Sequence, residues 1–82
     1  MKVSNMFSYN ISREADNKAF KKACSSVERH VKNYKKADLI VDVDGSVIQT
    51  YTTPNGSIEI YNDYEVDAVY CDSEVNLNGI LN

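Results

Sequence analysis

Tryptophan is absent from this chain of 82 residues, which also has one proline, three glycines, two cysteines and one histidine; after Lys36 there is no lysine or arginine at all. Each scarcity excludes something. So little Pro and Gly beside an apolar share of 43% excludes a disordered or low-complexity chain. Cys24 and Cys71 are too few for a disulfide framework or a zinc site, so buried, reduced thiols are expected, the alternative being a single bridge between them. The glycines stand singly, which leaves no phosphate-cradling loop. The sole histidine, His30, falls about 120° from Cys24 around a helix and nearly two turns away, which rules out a Cys-His dyad and places it on a partly buried flank. Ser25 and Ser26 have no base nearby in sequence. No apolar run reaches membrane-spanning length, and Met1 to Met6 lack a signal-peptide core, so a cytoplasmic protein with no membrane partner is expected. Residues 1–82 are expected to form a single compact domain.

What is present is a segregation of charge. Eight of the nine basic residues lie between Ser12 and Lys36, a stretch carrying a formal +5, whereas residues 37–82 hold nine carboxylates and no cation. The formal net charge of -3 conceals this split. Within the basic stretch Ala19, Phe20, Ala23, Cys24, Val27, Val31 and Tyr34 recur at spacings of three and four, which predicts one amphipathic helix over 12–36. Ser12 is the expected N-cap, with Glu14 and Asp16 in the first turn and Lys32, Lys35 and Lys36 in the last, a distribution that suits the helix dipole.

Strands flank that helix. Val3, Phe7, Tyr9 and Ile11 alternate with Ser4, Ser8 and Asn10, which predicts a half-buried strand over 3–11. The β-branched run Asp38 to Val43 predicts a second strand, and Asp44-Gly45 a tight hairpin with both central residues at positive φ. Ser46 to Thr53 is the third strand, closed by Asn55-Gly56, and Ser57 to Asn62 the fourth. Tyr64 to Cys71 is the fifth; a three-residue loop before it would align Val66 and Ala68 with Ile58 and Ile60 on one apolar face. The fold class expected is α+β: an N-terminal strand, one amphipathic helix, then a four-strand antiparallel meander with the helix packed on one sheet face. The order of elements is similar to that of proteinase inhibitors of the cystatin type, whose inhibitory motifs do not occur here. The aliphatic residues of the tail, 74–82, are expected to pack against an edge.

Three chemical readings compete for these residues. Asp42-Val43-Asp44-Gly45-Ser46 resembles a cation-binding string, but an EF-hand frame would place Ile40 and Tyr51 where acids are required, so no metal and no cofactor is expected. Lys18, Lys21, Lys22, Arg29, Lys32 and Lys36 form a basic helix face of the kind nucleic-acid binders use, although no aromatic side chain interleaves it for base stacking. The favoured surface is the acidic, tyrosine-bearing meander. Tyr51, Tyr61, Tyr64 and Tyr70 would serve as anchors, and Asp42, Asp44, Glu59, Asp63, Glu65, Asp67 and Asp72 as charges that steer a basic partner.

Compact acidic chains without a catalytic kit resemble in type the inhibitors that phages direct at host defence enzymes, including anti-restriction and anti-CRISPR proteins. That resemblance implies a non-enzymatic binding or inhibitor protein in the host cytoplasm, its partner a protein with a basic surface such as a nuclease. The alternatives are a nucleic-acid-binding regulator acting through the helix and a subunit of a larger assembly.

Overall fold

A computed structural model describes residues 6–81. The elements in chain order are β1 (Phe7–Ser12), α1 (Asn17–His30), β2 (Lys35–Lys36), β3 (Ile40–Val41), β4 (Val47–Thr53), β5 (Gly56–Asp63) and β6 (Ala68–Ser73). All strand pairs are antiparallel, in the order β1-β6-β5-β4-β2, with β3 continuing the β2 side along β4. The helix lies across one face of this sheet. Its Phe20, Ala23, Cys24 and Val27 form a core with Tyr51, Ile58, Ile60, Val69, Cys71 and Leu77. This is the α+β arrangement the periodicities predict. Val3 and Ser4 of the predicted first strand fall outside the described residues.

The helix is shorter than predicted at both ends. Asp16, not Ser12, is the N-cap: its carboxylate accepts the amides of Lys18 (2.9 Å) and Ala19 (3.4 Å). Ser12 ends β1 instead, and its hydroxyl donates to the Glu14 carbonyl at 2.8 Å. The connection is anchored by the sheet, because buried Asn62 accepts the Asp16 amide (3.0 Å) and Asp67 accepts that of Ala15 (2.8 Å). Glu14 and Asp16 therefore lie before the first turn. At the other end Val31 is already extended, Asn33 turns the chain at φ 60°, and Arg29 and His30 occupy the last turn. Lys35 and Lys36 pair with Thr52 and Tyr51, so they belong to the sheet. His30 is exposed, and its Nδ1 lies 2.9 Å from the Ser26 carbonyl oxygen.

The predicted second strand is also broken. Pairing shifts by one residue between Lys36↔Tyr51 and Ile40↔Ile48, which leaves a bulge at Ala37 to Leu39. Buried Gln49 fills it by donating Nε2–H to the Ala37 carbonyl at 2.7 Å. The following turn has one positive φ, at Gly45 (90°), and not the expected pair. Gly45 N–H donates to the Asp42 carbonyl and Asp42 N–H to the Ser46 carbonyl, a three-residue loop closed by a left-handed glycine. The next hairpin turns on Pro54 and Asn55, since Gly56 already pairs with Thr53. The last loop has four residues, Tyr64 to Asp67, because Asp63 pairs with Ala68. Consequently Val69 and Cys71, not Val66 and Ala68, share the helix-facing side with Ile58 and Ile60. The tail closes the core: Leu77 is fully buried, and its amide donates to the Tyr9 hydroxyl at 2.7 Å.

Candidate interaction face

Strand alternation sorts the meander into two faces. Gln49, Tyr51, Ile58, Ile60, Asn62, Val69, Cys71 and Ser73 point toward the helix and are buried. The residues between them form the other face, which none of the described elements covers. One row across it runs Ile40, Ile48, Tyr61, Tyr70, Asn10, and the next runs Thr50, Glu59, Asp72, Ser8. Tyr61 and Tyr70, directly opposite one another, stack with centroids 4.6 Å apart and planes 14° off parallel.

Each tyrosine is tied to a carboxylate. Tyr61 donates to Glu59 Oε1 (2.9 Å), Tyr70 to Asp63 Oδ2 (3.1 Å), and Ser8 to Asp72 Oδ1 (3.1 Å). Burial first and these carboxylates second raise both phenols above their ordinary pKa, so the pair stays neutral and donating at physiological pH. Beside the stack a groove of about 410 Å³ is floored by Ile40, Ile48, Tyr61 and Tyr70. Asp42, Asp44, Asp63 and Glu65 stand around one end of it. The loops holding these acids are joined, because the Tyr64 amide donates to Ser46 Oγ at 2.8 Å and the Tyr64 ring lies against Gly45. Asp44 accepts the Ser46 amide at 2.8 Å, a bond that lowers its pKa and keeps it ionised. Since no lysine or arginine follows Lys36, β4, β5 and β6 bring no cation to this face; at its edge β2 brings Lys35, opposite Thr52.

The predicted acidic set is thus brought together except at two positions. Tyr51 lies on the opposite face, fully buried, its ring edge-on to Tyr34 (5.4 Å, 85°) and its hydroxyl on Glu28. Asp67 takes a left-handed conformation (φ 56°) and spends its carboxylate on the Ala15 amide. Tyr64 sits in the last loop, half-exposed. Of the basic set, Lys18, Lys21, Lys22, Arg29 and Lys32 are exposed on or just after the helix, away from the sheet. Lys36 has left that group for β2, where its ammonium pairs with Glu28 at 2.7 Å.

No protein-family model matches the chain, and neither the curated proteins nor the solved structures hold a match. Among the described residues no group of three or more His, Cys, Asp or Glu side chains is placed to hold a metal ion, and no helix is long and apolar enough to cross a membrane. Cys24 and Cys71 are both free and buried, with thiol pKa values raised by burial.

Sequence reasoning missed the exposed apolar residues beside this surface. Ile40, Val41 and Val43 look like core in sequence, yet they are 59%, 63% and 103% exposed. Val66, in the facing loop, is 61% exposed. The signal available was the interleaving of Asp38, Asp42 and Asp44 with that run, since a strand buried on both faces does not carry acids at alternate positions.

Proposed function

We propose that this protein is a non-enzymatic binding or inhibitor protein whose uncovered sheet face docks on a basic surface of a partner protein. The supporting observation is the stacked Tyr61 and Tyr70 pair, set among Glu59, Asp63 and Asp72 on a face to which the meander brings no cation. Such a face joins a rigid aromatic anchor to charges that steer a cationic partner and orient it. The partner is the nucleic-acid-binding channel of another protein, such as a host defence nuclease met by a phage-type inhibitor. Occupying that channel would block nucleic-acid entry without any chemistry by this chain.

The exposed Lys18, Lys21, Lys22, Arg29 and Lys32 favour a second reading, direct nucleic-acid binding through the helix. One experiment separates the two. A tagged chain is used to capture its partner, and the captured enzyme's nucleic-acid binding is measured with wild type and two charge-reversed variants. Glu59→Lys with Asp72→Lys should relieve inhibition, added salt should imitate that loss, and Lys18→Glu with Lys22→Glu should change little. Retention of the free protein on a nucleic-acid column, abolished by the helix variant, would overturn the proposal in favour of the second reading.

A further inference from the structure

Among the described residues β3 pairs with β4 alone, at Ile40↔Ile48 and Val41↔Val47, which leaves its other edge open, and the chain then runs into Asp42. The Asp42 amide and carbonyl both face β4, the former donating to the Ser46 carbonyl and the latter accepting from Gly45. Backbone polarity alternates along a strand, so the Ile40 groups also face β4, and the Val41 N–H and C=O point outward, away from the sheet. An open edge of β-branched residues is a template for another strand, and natural edges are blunted by lysine, proline or a bulge. The opposite edge, β1, has such a bulge between Asn10 and Ser12. On the β2–β3 edge the lysines, Lys35 and Lys36, and the bulge at Ala37 to Leu39 all precede Ile40; β3 itself, Ile40–Val41, holds no lysine or proline.

Charge and exposure specify what fits. Ile40 and Asp42 belong to the uncovered sheet face, beside the groove that Asp44 and Glu65 also line. Val41 points to the other side and Val43 stands in the turn; both remain exposed, and neither belongs to the core that the helix covers. A strand laid along this edge therefore meets carboxylates on one face and aliphatic side chains on the other. A second copy of this chain is a poor occupant, since antiparallel pairing of two β3 edges about Val41 would set the two Asp42 carboxylates diagonally across the same face.

We infer that β3 accepts an extended segment of the partner by strand addition, one in which basic and apolar side chains alternate. This rests on the acidic-face reading and narrows it: main-chain bonds at Val41 supply the pairing, and Asp42 with its neighbours selects the cations. The test uses the full chain and a short synthetic peptide in which arginine alternates with valine. Binding should occur at low salt, and the Val41 amide should exchange with solvent about tenfold more slowly in the complex. Val41→Pro removes only the outward N–H, an edge position where proline is tolerated. It should weaken the peptide by about tenfold, the worth of one or two main-chain bonds. Unchanged exchange at Val41 in the complex, or a Val41→Pro variant that binds as wild type does, overturns strand addition. If that variant does not fold, the exchange measurement decides alone. Absence of peptide binding also overturns it, as does self-association that depends on Val41. Loss of binding with Glu59→Lys and Asp72→Lys, but not with Val41→Pro, keeps the face and discards the edge. Indifference to both variants discards the two together.

Discussion

The Tyr51 hydroxyl donates a 2.6 Å hydrogen bond to Glu28 Oε2, joining the fully buried centre of β4 to the back half of the helix. Lys36 Nζ reaches the same oxygen at 2.7 Å, so one carboxylate gathers helix, edge strand and core. Tyr51→Phe removes one bond and leaves Glu28 paired, a cost of about 1 kcal/mol. Glu28→Ala strands a largely buried phenol, about 1–3 kcal/mol. Urea midpoints should therefore fall further for Glu28→Ala than for Tyr51→Phe.

The same contact sets part of the acid sensitivity. The Lys36 ammonium first and the Tyr51 hydroxyl second hold the Glu28 carboxyl below its ordinary value of 4.5. A carboxyl with a lower pKa folded than unfolded contributes stability that is fully present above its unfolded value and lost as pH falls through its folded one. Between about pH 5 and pH 3, Glu28→Gln should lose less stability than wild type, as read by urea unfolding at each pH. Equal slopes would show that the pairing is not retained in solution.

The cap assignment has a direct check. Asp16→Ala should cost about 0.5–2 kcal/mol, because two amides of the first turn lose their acceptor. Ser12→Ala should cost less, its hydroxyl serving only a local turn with Glu14. The reverse order in thermal unfolding would restore a helix start at Ser12.

The core predicts a contrast along one helix. Phe20 is 5% exposed against the sheet, so Phe20→Ala should cost about 3–5 kcal/mol and leave a chain of this size marginal or unfolded. Lys21→Ala, on the exposed side, should stay within about 0.5 kcal/mol. Circular dichroism melts of the two variants test the helix phase.

Thiol reactivity follows burial. Burial, with Asp72 beside it, pushes the Cys71 thiol up to about 12, and burial also raises Cys24. The thiolate is the reactive species. Neither cysteine should be alkylated in the native protein near pH 8, and both should react once denaturant is added; rapid labelling of one thiol in the native state would contradict the core between helix and sheet that holds both.

Sequence alone determined the parts whose signal is local. The three- and four-residue spacing from Ala19 to Val27 identified the helix and its buried face, since those side chains meet the core whatever the exact ends. The separation of the cations, none of which lies beyond Lys36, from the nine acids that follow it is a property of composition that no fold can undo, so a strongly acidic sheet half was legible from the outset. Tertiary structure decided what depends on partners distant in the chain. Asn62 and Asp67 reach back to the Asp16 and Ala15 amides and so move the helix start, a contact between residues more than forty positions apart. Tyr51 is buried and Tyr61 is not because pairing register, set by loops of particular length, assigns each residue to one sheet face. Lys36 joined the sheet because the helix ends at His30 and the chain turns at Asn33 to pair with β4, and Ile40 to Val43 are left exposed outside the core the helix covers. Alternation along a strand states that two faces exist; only the packed helix chooses which one is covered.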